Sequence, residues 1–80
     1  MAIYWNIFDE LAIVTETETA QYRIDIFRNG GMHTDFSKPL DSLYTNTMDD
    51  VRAWLSGLEF ETVPETDYDY QLYMECLRRG

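Results

Sequence analysis

The apolar residues change their spacing along this chain, and the change restricts the folds it can adopt. In the first half they alternate, so that Tyr22, Ile24 and Ile26 share one side of an extended segment, as in a β-strand. In the second half they recur at helical spacing, at Val51, Trp54, Leu55 and Leu58. This order predicts an α+β fold, in which a small antiparallel sheet of three to four strands packs against two C-terminal helices.

The N-terminal segment predicts two strands. Residues 3–8 place Ile, Trp and Ile on one side and Tyr, Asn and Phe on the other, and residues 9–10 would end this first strand. Residues 11–19 are rich in β-branched side chains, which favour a second strand. Because Ala, Leu and Glu favour helices, a helix through residues 8–12 remains the alternative for this part of the chain.

A hairpin is predicted around the sequence RNGG at residues 28–31. Its returning strand would be residues 32–36. A two-residue turn would bring polar groups onto the apolar face, whereas a three-residue Asn-Gly-Gly loop pairs Ile26 with Thr34 and keeps that face apolar. We therefore predict the three-residue loop, followed by an irregular connection through residues 37–46, which contain a proline.

Two helices are predicted in the C-terminal half. Residues 47–50, Thr-Met-Asp-Asp, are similar to a capping box, so the first helix would begin there and end at Gly57. Residues 59–63 would then be extended, as a short edge strand with Phe60 pointing inward. The second helix would begin at residues 66–69, with apolar side chains on one stripe and two arginines at the negative end of its dipole.

The charge of the chain restricts its partners. Six basic residues against fifteen acidic ones give the 80-residue chain a formal net charge of -9. The resulting negative potential disfavours direct binding of nucleic acid or of an anionic membrane, since these need clustered Lys and Arg. A basic protein surface is the favoured partner. The length predicts a single domain, residues 1–80.

Cysteine content and hydropathy predict the compartment. Cys76 is alone in the sequence, so it can form no intrachain disulfide, which suits a reducing environment. The segment Met1–Trp5 lacks the basic region of a signal peptide, and no apolar run approaches the roughly 20 residues that span a bilayer. We expect a cytoplasmic protein that does not enter membranes.

The segment EFETVPETDYDYQ concentrates carboxylates without Lys or Arg, at Glu59, Glu61, Glu65, Asp67 and Asp69. The two aspartates would open the second helix, where negative charge is favourable by about 0.3–1 kcal/mol each. Glu59 and Glu61 would project from one face of an extended segment, about 6.6 Å apart. With the ring of Tyr68, which can make cation–π contacts, these five carboxylates are the predicted partner contacts. A solvated edge that discourages sheet pairing is the alternative.

A second acidic group lies in the N-terminal part of the chain and consists of Asp9, Glu10, Glu16 and Glu18. Glu16 and Glu18 are the predicted secondary contacts. The two glutamates alternate with threonines and would share one face of a strand. The same alternation is ordinary for an exposed strand, and that interpretation stays open for this group.

No motif of the sequence favours catalysis or a bound metal. His33 has no Ser, Cys or second His close in sequence, as a triad or a metal pair would need. Asp67-x-Asp69 lacks the glycine and the terminal glutamate of a calcium loop, and the RNGG turn is no phosphate cradle. We predict a protein that is not an enzyme, with no catalytic residues, no cofactor and no metal.

The segments YRIDIFRNGGMHTDF, TNTMDDVRAWLSGL and DYQLYMECLRRG form a strand-hairpin unit, a helix and a closing helix in one acidic chain. In this architecture the chain resembles small phage-encoded anti-CRISPR proteins that bind the type I surveillance complex. The resemblance implies an inhibitor in the host bacterial cytoplasm that blocks target DNA binding as a DNA mimic, by covering basic surfaces of the complex. It carries over no catalytic residue. The alternative is an intracellular adaptor or phage assembly protein that acts as a homodimer or through an edge strand.

Overall fold

The computed structural model describes residues 2–19 and 21–79. The elements in chain order are β1 (Ala2–Trp5), β2 (Glu10–Glu16), β3 (Tyr22–Arg28), a 3-10 helix (Gly31–His33), β4 (Asp41–Thr45), α1 (Met48–Gly57), β5 (Glu61–Thr62) and α2 (Tyr68–Arg79). The strands form one antiparallel five-stranded sheet in the order β4-β3-β2-β1-β5. The α+β prediction is confirmed, with five strands where three to four were expected.

The sheet is the middle layer of the molecule, with one helix on each face. On one face α1 packs Val51 and Leu55 against Ala12, Val14 and strand β3. On the other face α2 buries Tyr73 against a second group of buried residues, Ile3, Leu11, Ile13, Phe27 and Val63. Because both faces of β2 are covered, its residues 11–14 are all buried, as in any strand enclosed on both sides.

Strand β1 ends earlier than predicted. It stops at Trp5, and residues 6–9 form the turn into β2, in which Asp9 has a positive φ of 57°. The prediction of a strand through residues 3–8 therefore runs three residues too far. The alternative of a helix through residues 8–12 is wrong, because β2 begins at Glu10 and pairs in register with β1 and β3.

The predicted partner of β3 is wrong. Ile26 lies opposite Asp41, not Thr34, and the returning strand is β4. Residues 31–33 form a 3-10 helix, which is closed locally because the Thr34 hydroxyl donates to the Gly31 carbonyl at 2.7 Å and accepts from the Gly30 N–H at 3.0 Å. Gly31 has a φ of +59°, which glycine adopts without strain. Residues 37–46 are therefore not irregular throughout.

Helix α1 begins and ends as its sequence predicts. The Thr47 hydroxyl accepts the N–H of Asp50 at 3.2 Å, and Gly57 is the last helical residue. At the C-terminus the N–H of Phe60 donates to the Leu55 carbonyl at 2.9 Å, and the N–H of Glu59 donates to the Ser56 carbonyl at 3.1 Å. These two bonds form a Schellman motif, whose left-handed position is usually glycine. Here that position is Glu59, with a φ of 59°.

Replacing Glu59 with glycine is expected to stabilise the fold by about 1 kcal/mol. A side chain strains the left-handed conformation, and a carboxylate is unfavourable at the negative end of a helix dipole. Urea denaturation of the purified variant would measure the gain. Glu61→Gly is the matched control: Glu61 lies in β5, where glycine should lower stability by about 0.5–1 kcal/mol. Equal effects of the two variants would contradict this account of Glu59.

Helix α2 is tied to the sheet through Tyr73. The Asp67 carboxylate accepts the N–H of Asp69 at 2.9 Å and so caps the start of the helix. Tyr73 is 1% exposed, donates its hydroxyl to Oδ1 of Asn29 at 3.1 Å and meets the ring of Trp5 edge-on. Burial raises the pKa of the Tyr73 hydroxyl above its usual value, so the neutral, hydrogen-bonded form is held in the folded protein.

Candidate partner-binding edge

Three exposed glutamates follow the β5 side of the sheet from α1 towards α2. Glu61 lies opposite Trp5, and the N–H of Val63 donates to the Ile3 carbonyl at 3.0 Å. Because β5 runs antiparallel to β1, the chain travels from the Trp5 end of the sheet towards its Ala2 end. Glu65 follows in the connection between β5 and α2. We call Glu59, Glu61 and Glu65 the acidic edge.

The predicted arrangement of Glu59 and Glu61 is wrong. They were expected on one face of a single extended segment, but strand β5 is only Glu61–Thr62. Glu59 has left-handed backbone because it terminates α1 in the Schellman motif. The inward position predicted for Phe60 is confirmed, since its side chain is buried beside Leu55 and Trp54.

The two aspartates of the predicted site take part in starting helix α2. Asp67 caps the helix and Asp69 lies in its first turn, so local structure explains both, as the sequence suggested. Both are partly buried. Tyr68, the first residue of α2, is 76% exposed and so presents its ring beside these carboxylates.

Glu16 and Glu18, the predicted secondary contacts, lie apart from the acidic edge. Glu16 ends β2 opposite Tyr22, and Glu18 lies beyond the strand, in the connection to β3. The prediction that the strand continues through residues 17–19 is wrong, because the N–H of Thr17 donates to the Gln21 carbonyl and closes the connection. Strand β1 separates β2 from β5, so the structure does not gather all predicted contacts into one cluster.

The acidic edge is not neutralised within residues 2–19 and 21–79. Ion pairs there join Arg23 to Asp25 at 2.9 Å, Arg52 to Asp49 at 3.1 Å and Arg79 to Glu75 at 3.6 Å. None of these pairs includes a predicted contact residue. Arg52 lies near the edge, since it lines a shallow cleft together with Glu59 and Glu61.

The turn at residues 6–9 lies beside the acidic edge and was not predicted from the sequence. It exposes Ile7 and Phe8, which were assigned to a strand. An open cleft of about 300 Å³ beside the turn is lined by Trp5, Asn6, Ile7, Glu59 and Glu61. Asn and Asp at the two ends of the turn are frequent turn residues, and that signal could have located it.

The residues with potential for metal or redox chemistry lie elsewhere. His33, Asp35, Cys76 and Arg79 line a shallow depression at the far end of α2. The Cys76 thiol donates to the Met32 carbonyl at 3.2 Å, and hydrogen bonds from Ser37 lower the pKa of Asp35. Among the described residues, no three His, Cys, Asp or Glu side chains converge as a metal site would require. None of the helices in those ranges is long and apolar enough to cross a membrane.

Comparison of the chain with protein-family models, with curated proteins and with solved structures gives no significant match. The functional interpretation therefore depends on the geometry and charge of the acidic edge.

Proposed function

We propose that this protein is a non-enzymatic inhibitor that binds the Lys- and Arg-rich nucleic-acid-recognition surface of a protein complex. The acidic edge is the primary contact, and Asp67, Tyr68 and Asp69 extend it at the start of α2. Glu16 and Glu18 are secondary contacts. In its most specific form, the protein is phage-encoded, acts in the bacterial cytoplasm, and mimics DNA to keep target DNA off a type I CRISPR surveillance complex. The observation that supports this proposal is a group of exposed carboxylates on and beside β5 that forms no ion pair within residues 2–19 and 21–79.

The physical argument is electrostatic. A surface that binds DNA carries clustered Lys and Arg, and a formal charge of -9 on a chain of 80 residues steers such a surface towards this protein. The two-residue strand β5 offers little backbone for sheet pairing. The acidic edge is therefore suited to contact through side chains rather than through strand addition.

The test compares charge variants for binding to a purified type I surveillance complex. The triple variant Glu59→Gln, Glu61→Gln and Glu65→Gln is expected to bind at least about tenfold more weakly and with a shallower salt dependence, because rim charges contribute mainly through screened attraction. Displacement of labelled target DNA, measured at several ionic strengths, gives both quantities.

A control with the same change in net charge separates the effect of where the carboxylates lie from the effect of the total charge. Asp41→Asn, Asp49→Asn and Glu75→Gln replace three exposed carboxylates elsewhere and should leave the affinity within about twofold. Wild-type binding that is absent or indifferent to salt would overturn the proposal. Equal losses in the two triple variants would overturn the role of the acidic edge.

A second candidate is an adaptor or phage assembly protein that pairs with a second copy. The observation that favours it is β4, an edge strand of five residues without Lys or Pro, the residues that commonly block edge pairing. Sedimentation equilibrium decides between the two: a dimer that persists at high salt supports this candidate, and a monomer that binds a basic complex supports the first.

A further inference from the structure

The turn between β1 and β2 exposes two adjacent apolar side chains. Ile7 is 79% exposed and Phe8 is 59% exposed, although burial of either would gain roughly 1.5–3 kcal/mol. Leu58, whose carbonyl accepts a hydrogen bond from the side chain of Asn6, is also exposed. Contiguous exposed apolar side chains on a small protein are typical of an interaction site. We call Ile7 and Phe8 the apolar tip.

The apolar tip is held rigidly. Oδ1 of Asn6 accepts the N–H groups of Phe8 and Glu10 at 3.0 and 3.1 Å. Nδ2 of Asn6 donates to Oε1 of Glu10 at 3.0 Å and to the Leu58 carbonyl at 3.2 Å. The N–H of Asn29, the residue that follows β3, donates to the Asp9 carbonyl at 2.8 Å. A turn fixed in this way loses little conformational entropy when it binds, which favours affinity.

The surroundings of the apolar tip are acidic. Asp9 and Glu10 follow it directly in the sequence, and Glu59 and Glu61 line the cleft beside Ile7. Among the residues that the structure describes, no Lys or Arg lines that cleft. The charge complement of this surface is an apolar pocket with a cationic rim.

We propose that the apolar tip inserts into an apolar pocket on the partner protein, and that Lys or Arg side chains on the rim of this pocket reach Glu59 and Glu61. The inference rests on the proposed function and adds the chemistry of the partner surface. A central apolar anchor surrounded by polar contacts is the usual distribution of binding energy in protein interfaces. The anchor supplies affinity, and the carboxylates supply steering and orientation.

Two other occupants fit the charges less well. A second copy docked tip to tip would bring the carboxylates of both copies together, which is repulsive. An anionic membrane would accept Phe8 but repel Asp9, Glu10, Glu59 and Glu61. Both are outcomes of the test below.

The test separates the apolar anchor from the charges. The double variant Ile7→Ser and Phe8→Ser is expected to bind the surveillance complex about thirtyfold more weakly, equivalent to about 2 kcal/mol, with its salt dependence unchanged. The matched control is Met32→Ser and Tyr44→Ser, which replaces two side chains of 59% and 64% exposure away from the tip and should bind as the wild type does. Unfolding curves of both variants verify that they fold.

A second arm keeps this inference separate from the proposed function. Two synthetic peptides of equal positive charge are titrated into the full chain, one of Arg and Leu and one of Arg and Ser. The wild type should bind the Arg/Leu peptide about tenfold more tightly, with NMR shift changes centred on residues 6–10, and the tip variant should lose this preference. A preference that persists in the tip variant overturns the inference, as does tip-dependent self-association or tip-dependent binding to anionic vesicles. If the wild type does not bind the complex, the proposed function is overturned. The peptide titration still tests in that case whether the apolar tip binds an apolar, cationic surface.

Discussion

Replacing Leu11 with alanine is expected to remove about 3 kcal/mol of the free energy of unfolding. Leu11 is 0% exposed, lies in the central part of the sheet between Trp5 and Phe27, and belongs to the cluster beneath α2. Truncation there removes buried methyl groups and leaves a cavity, which together cost about 2–5 kcal/mol. A domain of this length has a total stability of roughly 4–12 kcal/mol, so the variant should lie close to the limit of folding.

Urea denaturation followed by far-ultraviolet circular dichroism measures this loss. Ile7→Ala is the control, because it also truncates an aliphatic side chain but one that is 79% exposed, and its effect should stay within about 0.5 kcal/mol. A Leu11→Ala variant as stable as Ile7→Ala would show that the face of the sheet beneath α2 is not packed as described.

Replacing Asn6 with alanine is expected to cost about 2 kcal/mol, an unusually large effect for a residue in a turn. The side chain makes the four hydrogen bonds that hold the β1–β2 turn and join it to the end of α1. Each contributes about 0.5–1.5 kcal/mol net, and partial exposure reduces the sum. The loss should appear in urea denaturation, and amide hydrogen exchange at Phe8 and Glu10 should accelerate.

Asn46→Ala serves as the comparison for Asn6→Ala, since Asn46 is an exposed asparagine in a bend and its replacement should change stability by less than about 0.5 kcal/mol. Unchanged exchange at Phe8 and Glu10 in the Asn6 variant would contradict the assigned role of the side chain.

The features that the sequence predicted correctly depend on residues close together in the chain. The Thr47 cap of α1 involves a partner three residues away, and the start of α2 at Asp67 involves a partner two residues away. The inward position of Phe60 also follows from local residue types. Such signals involve only residues within a short segment, so they act in the same way whatever the tertiary structure is.

The features that were missed depend on tertiary context. Residues 32–36 alternate as a strand would, but glycine at 30 and 31 allowed a local 3-10 turn closed by Thr34. The sequence of strand β4, DSLYT, carries no strong strand signal. The segment is extended because it pairs with the edge of β3. Local propensity is a weak guide where pairing with a neighbouring strand decides the conformation.

For the candidate site, the sequence shows which carboxylates are close together along the chain but not how the backbone arranges them. The run of carboxylates from Glu59 to Asp69 is visible in the sequence, whereas the left-handed backbone of Glu59 follows from how α1 ends. The apolar tip was missed because Ile7 and Phe8 continue the alternation of β1, whereas in the structure they lie in a turn held by the side chain of Asn6. Alternation predicts where a strand can run, not where it stops.

Strand β1 lies between β2 and β5, although residues 6–60 separate β1 from β5 in sequence. During synthesis on the ribosome, β1 can pair with β2 early, but its other edge stays open until β5 has emerged. Contacts between such distant segments slow folding, and an unpaired edge invites pairing with other nascent chains. Completion of the sheet is thus a late event, and the cell must keep the partly made molecule apart from its neighbours until then.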